Sequence, residues 1–587
     1  MSESRRQYFY SSRLYAFLLI FALCSFALVG RAVQLQVMET DFLQGQGEAR
    51  FLREVDLPTT RGVISDRNGE PLAVSTPVDS VWVNPPMLLQ VPERISELAG
   101  ALSADADEME RKLTQRASRE FVWLKRRLHP GLAAEIKALA IPGVFLQKEY
   151  RRFYPAGEVA AHLIGFTNID DVGQEGLELA YNDWLQGKPG SRRVIKDRKG
   201  RTVEEIELVR EPEPGRDLRL TIDRRLQYLA YRELKRTVLM HGAQSGSVVL
   251  LDVTTGEVLA MANQPSYNPN QPGADSEGLR NRAVTDVFEP GSVMKPFAIL
   301  SALENHLVTP ETLVDTNPGR MRLAGYTISD HHNYGVLDVT GIITKSSNIG
   351  VSKIALQLDA ERMWDTYTRL GFGEATGTGF PGESAGVLRN HERWRRVEQA
   401  TISYGYGISV TTLQLAQAFA VIAAEGKLRH PTLIYGTAAA PISVADPATV
   451  RQVSVMLETV LTPAGTGKAA NVANYRVAGK TGTSRKASAA GYASRYVSSF
   501  AGYAPASDPK LVCVVIINDP TGEAYYGGAV AGPLFSSVMT GALRLMNVTP
   551  DNYAASLASL EPEPEPEPGL HSPLEPAPAP EDFGVQP

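Results

Sequence analysis

Residues 246–262 read GSVVLLDVTTGEVLAMA, and this stretch decides the fold class. Two apolar runs of strand length, 246–252 and 257–262, flank the short turn sequence VTTG at 253–256. Apolar runs joined by a short, Gly-containing turn predict a β-hairpin. We therefore expect an antiparallel sheet to begin here.

Further strand and helix patterns follow the hairpin along the chain. Residues 475–480, 498–503 and 511–518 have apolar patterns typical of strands, whereas 292–304 and 412–424 are rich in Leu, Ala and Phe and predict helices. Two strands, then helices, then more strands indicate an α/β (α+β) domain in which helices pack on an antiparallel sheet.

The chain has 587 residues, which is more than one hydrophobic core usually organises, so we expect at least two domains. Pro212, Pro214 and Gly215 interrupt the sequence just before an alternating, strand-like run, which places a boundary at residue 216. The predicted parts are an N-terminal domain at 35–216 and a second domain at 217–550. Residues 551–587 begin with Glu-Pro repeats that cannot bury apolar surface, and they predict a disordered tail.

Residues 14–29 carry no charge and predict a transmembrane anchor at 14–34. The preceding residues 1–13 contain Arg5, Arg6 and Arg13 against a single acidic residue, which favours a cytoplasmic N-terminus. A cleaved signal peptide is the alternative, although no cleavage site with small residues follows.

Composition excludes several classes of function. A net charge of −6 makes nucleic acid an unexpected partner. The only two cysteines, Cys24 and Cys513, stand in separate apolar runs and offer neither a metal cluster nor a disulfide pair. The overall content of 43% hydrophobic and 21% charged residues is that of a globular protein that lies mostly in water.

The sequence EPGSVMKPF at 289–297 places Ser292 and Lys295 three residues apart at a predicted helix start. Residues three apart share one face of a helix. A serine hydroxyl is a poor nucleophile until a base removes its proton, and a partly desolvated lysine can be that base. Alone, the pair is weak evidence, because an N-cap serine beside a solvated lysine gives the same pattern.

A second motif places a hydroxyl and a carboxamide two residues apart, at Ser346 and Asn348. These groups are suited to relay a proton and to hold a peptide amide. A polar turn or a helix cap would give the same pattern, so the second motif is also weak when taken alone.

A third motif, Lys-Thr-Gly-Thr, occupies residues 480–483 after a strand-like run. On an edge strand, the Lys480 ammonium and the hydroxyls of Thr481 and Thr483 can grip a substrate carboxylate. Gly482 lets another part of the backbone approach the strand closely. This tetrapeptide is more specific than the first two motifs.

The three motifs in this order match the Ser-x-x-Lys, Ser-x-Asn and Lys-Thr-Gly signature of penicillin-binding proteins and serine β-lactamases. Over nearly its whole length the chain also resembles FtsI-type enzymes, the monofunctional (class B), division-specific peptidoglycan transpeptidases. The segments that carry this resemblance are 61–69, 154–155, 162–166, 175–178, 403–407, 517–520 and 525–528.

This resemblance implies a penicillin-binding transpeptidase fold, with helices on both faces of the antiparallel sheet and an elongated pedestal domain before it. Carried over to this chain, the family's roles are nucleophile for Ser292, base for Lys295, proton relay for Ser346, orientation of the donor peptide for Asn348, and substrate binding for Lys480, Thr481, Gly482 and Thr483. The oxyanion is expected at the backbone N–H groups of Ser292 and Thr483.

The resemblance further implies that stem pentapeptides are the substrates, that β-lactams acylate the serine, and that an FtsW-type polymerase and other division proteins are partners. It places the catalytic domain outside a bacterial inner membrane and implies neither a metal nor an organic cofactor. The alternatives are an elongation-specific transpeptidase and a D,D-carboxypeptidase. A β-lactamase, a β-lactam receptor and an inactive scaffold fit less well, and Ser347, where β-lactamases often carry Asp, argues against rapid hydrolysis.

Overall fold

The computed structural model describes residues 3–40, 52–196, 202–273, 278–488 and 491–552. The tail predicted to be disordered lies outside these ranges, apart from its first two residues. Helix α1 (Glu3–Val33) continues into a π-helical turn (Gln34–Met38). The segment Arg13–Met38 is long and apolar enough to cross a membrane, with a mean hydropathy of 2.2, and none of it is buried. This segment contains the predicted anchor.

The described residues of the N-terminal part form two sheets. The strands are β1 (Leu52–Leu57), β2 (Ile64–Ser65), β3 (Pro71–Val83), β4 (Val122–Leu128), β5 (Val144–Phe153), β6 (Gly190–Lys196), β7 (Thr202–Arg210) and β8 (Leu218–Arg219). The helices are α2 (Pro85–Leu88), α3 (Ile95–Leu102), α4 (Ala106–Thr114), α5 (Pro130–Leu139), α6 (Ala161–Ile164), α7 (Gly176–Ala180) and α8 (Asn182–Leu185). One sheet has the order β1-β6-β7, and the other has the order β4-β3-β2-β8, with β5 also paired to β3.

A buried ionic cluster ties the N-terminal segments together. Glu178 on α7 accepts hydrogen bonds from the guanidinium groups of both Arg61 and Arg152, at 2.5 and 2.6 Å. All three side chains are nearly or fully buried. Removing one partner of such a cluster leaves an uncompensated buried charge, so these residues hold distant parts of the chain in one arrangement.

The second part begins with α9 (Arg224–Met240). Its strands are β9 (Ser245–Asp252), β10 (Val258–Gln264), β11 (Leu313–Asp315), β12 (Arg320–Leu323), β13 (Tyr326–Ser329), β14 (Val336–Asp338), β15 (Lys427–Leu428), β16 (Ile442–Ser443), β17 (Ala478–Ser488), β18 (Gly491–Ala504) and β19 (Leu511–Asn518). Its other helices are α10 (Arg282–Thr285), α11 (Lys295–Glu304), α12 (Val339–Lys345), α13 (Asn348–Ala355), α14 (Ala360–Arg369), α15 (Arg396–Ile402), α16 (Thr412–Ala423), α17 (Pro447–Thr459) and α18 (Gly527–Leu545).

The main sheet has the order β10-β9-β19-β18-β17, and every neighbouring pair is antiparallel. Helices α9 and α18 pack on one face and α16 on the other, so the predicted fold is confirmed. The predicted hairpin is β9 and β10, which pair Met261 with Val249. Strand β9 is buried along almost its whole length because helices cover both sides of it.

Two element boundaries differ from the sequence prediction. The third strand pattern was expected at 475–480, but β17 begins at Ala478, where pairing with Tyr503 of β18 starts, and it continues to Ser488. The helix expected from residue 292 opens as a 3₁₀ turn (Gly291–Met294) before α11. The ends of such elements depend on strand pairing and on turn geometry, and the apolar pattern of the sequence does not predict either.

The boundary at residue 216 stays a prediction, and the structure describes close contacts around it. Leu218 of β8 pairs in parallel with Ile64 of β2. The buried Asp66 carboxylate accepts a hydrogen bond from Arg224 N at the start of α9, and Arg67 forms an ion pair with Glu257 at 3.2 Å. The loop that contains Asp66 therefore fastens the N-terminal part to the main sheet's domain.

Candidate active site

Ser292 lies in the 3₁₀ turn that precedes α11. The turn is possible because Gly291 adopts φ = 62°, a conformation that favours glycine. Gly291 N donates to Gly405 O at 3.1 Å, and a Cβ on Gly405 would lie 2.2 Å from Gly291 O. Because Gly405 has no side chain, its loop can pack directly against the backbone of the serine turn.

The Lys295 side chain returns to the serine from the first turn of α11. Its Nζ donates to Ser292 Oγ at 3.0 Å and to Ser346 Oγ at 3.0 Å. It also donates to the carbonyl oxygen of Ser346. The predicted pairing of nucleophile and base is therefore present as a direct hydrogen bond.

Ser346 connects α12 to α13 in a left-handed conformation with φ = 60°. Its hydroxyl lies between the amino groups of two lysines, since Lys480 Nζ also donates to Ser346 Oγ at 3.0 Å. Ser292, Lys295, Ser346 and Lys480 consequently form one hydrogen-bonded cluster. Four residues that span almost 190 positions of the sequence meet within a few ångströms.

The Lys-Thr-Gly-Thr motif lies on β17, an edge strand, as predicted. Gly482 faces the serine turn, because a Cβ there would lie 2.9 Å from Pro290 O and 2.2 Å from Ser499 Oγ. The Thr481 hydroxyl hydrogen-bonds the Thr466 hydroxyl at 2.7 Å. Thr483 Oγ1 accepts from Gly527 N at 2.9 Å, at the start of α18. The strand is thus held against both the serine turn and α18.

Both active-site lysines are fully buried. Burial lowers the pKa of Lys295 well below its usual value; Lys480 lowers it further, and Asp330 raises it. Burial also lowers the pKa of Lys480, to about 7. A lysine with a lowered pKa has an accessible neutral form, which is the form that can accept a proton.

Asn348 is the first residue of α13, and its side-chain amide donates to Ser329 O at 3.0 Å. The neighbouring Ser347 is the helix N-cap, because its hydroxyl accepts from Gly350 N at 2.9 Å. Both residues contact Asp330, which lies outside the three motifs. The Asp330 carboxylate accepts from Ser347 Oγ and from Asn348 N, each at 2.5 Å.

Aromatic residues line the rim of the site and were also missed as site residues. The Tyr406 hydroxyl accepts a hydrogen bond from Arg485 N on β17 at 3.1 Å. Tyr525 stacks on Tyr526 at 4.4 Å, and the ring of Tyr526 meets His331 edge to face at 5.5 Å. The motif Tyr-Gly-Tyr-Gly and the Tyr-Tyr pair were recognised only as parts of a family resemblance.

Two family models match the chain. The model described as "Penicillin binding protein transpeptidase domain" matches residues 246–540, and the model described as "Penicillin-binding Protein dimerisation domain" matches residues 56–220. The first match contains every motif residue of the site. The second covers most of the predicted pedestal.

Several curated proteins are similar over nearly the whole chain. A "Probable peptidoglycan D,D-transpeptidase PbpC" of Pseudomonas aeruginosa is 45% identical, covering 95% of this chain and 99% of the relative. "Peptidoglycan D,D-transpeptidase FtsI" of Escherichia coli is 45% identical, covering 89% of this chain and 90% of the relative. "Probable peptidoglycan D,D-transpeptidase PenA" of Neisseria meningitidis is 43% identical, over 89% and 91%.

Solved structures agree with these relatives. The apo structure of the TP domain from Burkholderia pseudomallei penicillin-binding protein 3 is 45% identical, with a TM-score of 0.53, and covers 57% of this chain and 97% of that chain. A peptidoglycan synthetase from Bifidobacterium adolescentis is 26% identical, with a TM-score of 0.68, and covers 85% and 98%. With matches of this extent around an assembled serine–lysine site, the chain belongs to the penicillin-binding protein family of transpeptidases.

Proposed function

We propose that this chain is a peptidoglycan D,D-transpeptidase that cross-links stem peptides of the septal cell wall through an acyl-enzyme on Ser292. The observation that carries the proposal is the hydrogen-bonded cluster of Ser292, Lys295, Ser346 and Lys480. The 45% identity to FtsI of E. coli supports the peptide cross-linking reaction and favours the division-specific type.

In the acylation step, neutral Lys295 takes the proton of Ser292 while the serine oxygen attacks the carbonyl of the penultimate D-alanine of a stem pentapeptide. The backbone N–H groups of Ser292 and Thr483 stabilise the oxyanion. The bond to the terminal D-alanine then breaks, and Ser346 passes a proton to the departing amine. Its position between the two lysine ammonium groups suits that relay.

The terminal carboxylate of the donor is proposed to bind beside Lys480, Thr481 and Thr483, and Asn348 to orient the donor peptide. In the second step an amine of a neighbouring stem peptide attacks the acyl-enzyme and receives the acyl group, and Ser292 recovers its proton. Neither step requires a metal or an organic cofactor. The same residues would give a D,D-carboxypeptidase if water replaced the amine.

We also propose that α1 anchors the enzyme in the inner membrane, with the N-terminus in the cytoplasm and the catalytic domain outside. The uncharged, unburied stretch 14–29 of this helix and the three arginines that precede the stretch support this topology. Protease added to intact spheroplasts should therefore digest the chain beyond about residue 35. The pedestal would stand between the membrane and the site, where an FtsW-type polymerase and other division proteins could contact it.

The reaction can be tested with full-length protein in detergent. The enzyme is incubated with a pentapeptide-like thioester and an excess of a D-amino acid, and the products are identified by mass spectrometry. The exchange product is expected with the wild type and not with Ser292→Ala. Formation of the hydrolysed acid alone would instead support the carboxypeptidase alternative.

A further inference from the structure

Asp330 follows directly after β13, and its side chain contacts residues of the second motif, at Ser347 and Asn348. Its Oδ1 accepts from Asn348 N at 2.5 Å and from Ile349 N at 3.1 Å, and its Oδ2 accepts from Ser347 Oγ at 2.5 Å. One carboxylate therefore occupies the N-terminus of α13 and fixes the residues that come directly after Ser346. A carboxylate at this position also interacts favourably with the helix dipole.

Ser346 joins two helices, and Asp330 fixes the residues that directly follow it. It is a single left-handed residue between the last turn of α12 and the N-cap of α13. Its hydroxyl must nevertheless lie 3.0 Å from both Lys295 Nζ and Lys480 Nζ. A non-glycine residue with positive φ costs free energy and persists only where its surroundings enforce it. Asp330 secures the C-terminal side of this connection, together with the hydrogen bond from Ser347 N to Ile342 O at 3.0 Å.

The charge of Asp330 is as important as its hydrogen bonds. Two lysines that share one hydroxyl in a buried site repel each other when both are protonated, and the negative charge of Asp330 opposes that repulsion. Of the charges that act on Lys295, Lys480 of β17 lowers its pKa and Asp330 raises it. His331 and His332 lie on the same loop as Asp330. Burial lowers the pKa of His331, Lys295 and His332 lower it further, and Asp330 raises it.

We propose that Asp330 is a positioning residue that holds Ser346 between the two lysines and supplies the negative charge that stabilises the Lys295 ammonium as it forms during acylation. This inference rests on the proposed function of Lys295 as the base. Without the charge, Lys295 becomes a weaker base that is neutral at lower pH. Acylation of Asp330→Asn should therefore be slower at its plateau, while the acidic limb of its pH profile moves to lower pH.

The experiment measures acylation by a fluorescent penicillin between pH 5 and 9, with full-length protein in detergent. Asp338→Asn is the matched control, because Asp338 caps the neighbouring α12 by accepting from Gly341 N at 2.5 Å, and asparagine is an equally good cap. Ser347→Ala is the second variant, since it removes a hydrogen bond to Asp330 and keeps the charge. The proposal expects the pH shift in Asp330→Asn alone and only slower acylation in Ser347→Ala.

The possible outcomes separate the two proposals. A pH profile of Asp330→Asn that keeps the wild-type position, whatever its height, would make Asp330 a structural cap and overturn the inference. The same shift in Ser347→Ala would also overturn it, because the charge is then not the cause. An absence of Ser292-dependent labelling in the wild type would instead refute the proposed function itself.

Discussion

Lys480 should destabilise the fold at neutral pH, and Lys480→Met should therefore make the protein more stable. The Lys480 side chain is fully buried, and burial lowers its pKa from 10.5 to about 7. The folded protein thus releases a proton that the unfolded chain keeps. For a base with a lowered folded pKa, the destabilisation is fully present below pH 7 and disappears as the pH rises to about 10.5.

The size of the effect follows from the two pKa values. A difference of 3.5 units, from 10.5 to about 7, corresponds to about 5 kcal/mol at low pH, about 4 kcal/mol at pH 7 and under ~1 kcal/mol at pH 10. Methionine loses the hydrogen bonds to Ser346 Oγ and Thr481, which together contribute about 2 kcal/mol. Lys480→Met should thus be stabilising by about 2 kcal/mol at pH 7 and destabilising by about 1 kcal/mol at pH 10.

Thermal unfolding of the full-length protein in detergent provides the assay, with Tm measured at pH 7 and pH 10. For a domain of about 300 residues, 2 kcal/mol corresponds to a rise in Tm of about 3 °C. Lys427→Met is the control, since Lys427 is exposed in the same domain and its replacement should leave Tm unchanged at both pH values. A Tm for Lys480→Met that does not rise at pH 7, or that rises equally at both pH values, would refute the reasoning.

Three further predictions concern the proposed base, the edge strand and the tail. Lys295→Arg keeps the charge but has no accessible neutral form, so acylation measured by stopped flow should fall by about 10²- to 10⁴-fold; acylation near the wild-type rate would remove Lys295 from the role of base. Gly482→Ala places a Cβ 2.2 Å from Ser499 Oγ and should lower both acylation and Tm, whereas Gly100→Ala, with nothing within 4 Å and in a helix, should leave acylation unchanged and should not lower Tm. Truncation after Asn552 should leave penicillin binding and Tm unchanged, and a drop of several degrees would show that the tail docks on the folded protein.

The sequence predicted the sheet well because its strands are long, apolar and closely followed by turn residues. Strand β19 coincides with the predicted run 511–518, and α16 ends one residue before its predicted end. Both elements are buried along almost their whole length, so their apolar pattern is continuous. Strand β17 was placed less well, because its exposed edge and its glycines give a weak pattern.

Local sequence could not have revealed Asp330 as a member of the site. It stands 16 residues before Ser346 in a polar loop, and no spacing rule joins a carboxylate to a helix N-terminus across a strand and a helix. Only the folded chain shows that the loop after β13 returns to the start of α13. The three motifs were visible because each is a short local pattern, whereas their shared electrostatics depend on long-range packing.

Burial also changes the physical role expected of the lysine in the third motif. The motif predicts an ammonium group on an edge strand that grips a carboxylate, and the structure places Lys480 fully buried, with a pKa of about 7. A carboxylate that binds beside it would favour the ammonium form, so binding above pH 7 should be accompanied by proton uptake. With neutral Lys295 as the proposed base, the proton that is taken up would reside on Lys480, beside the proposed donor carboxylate.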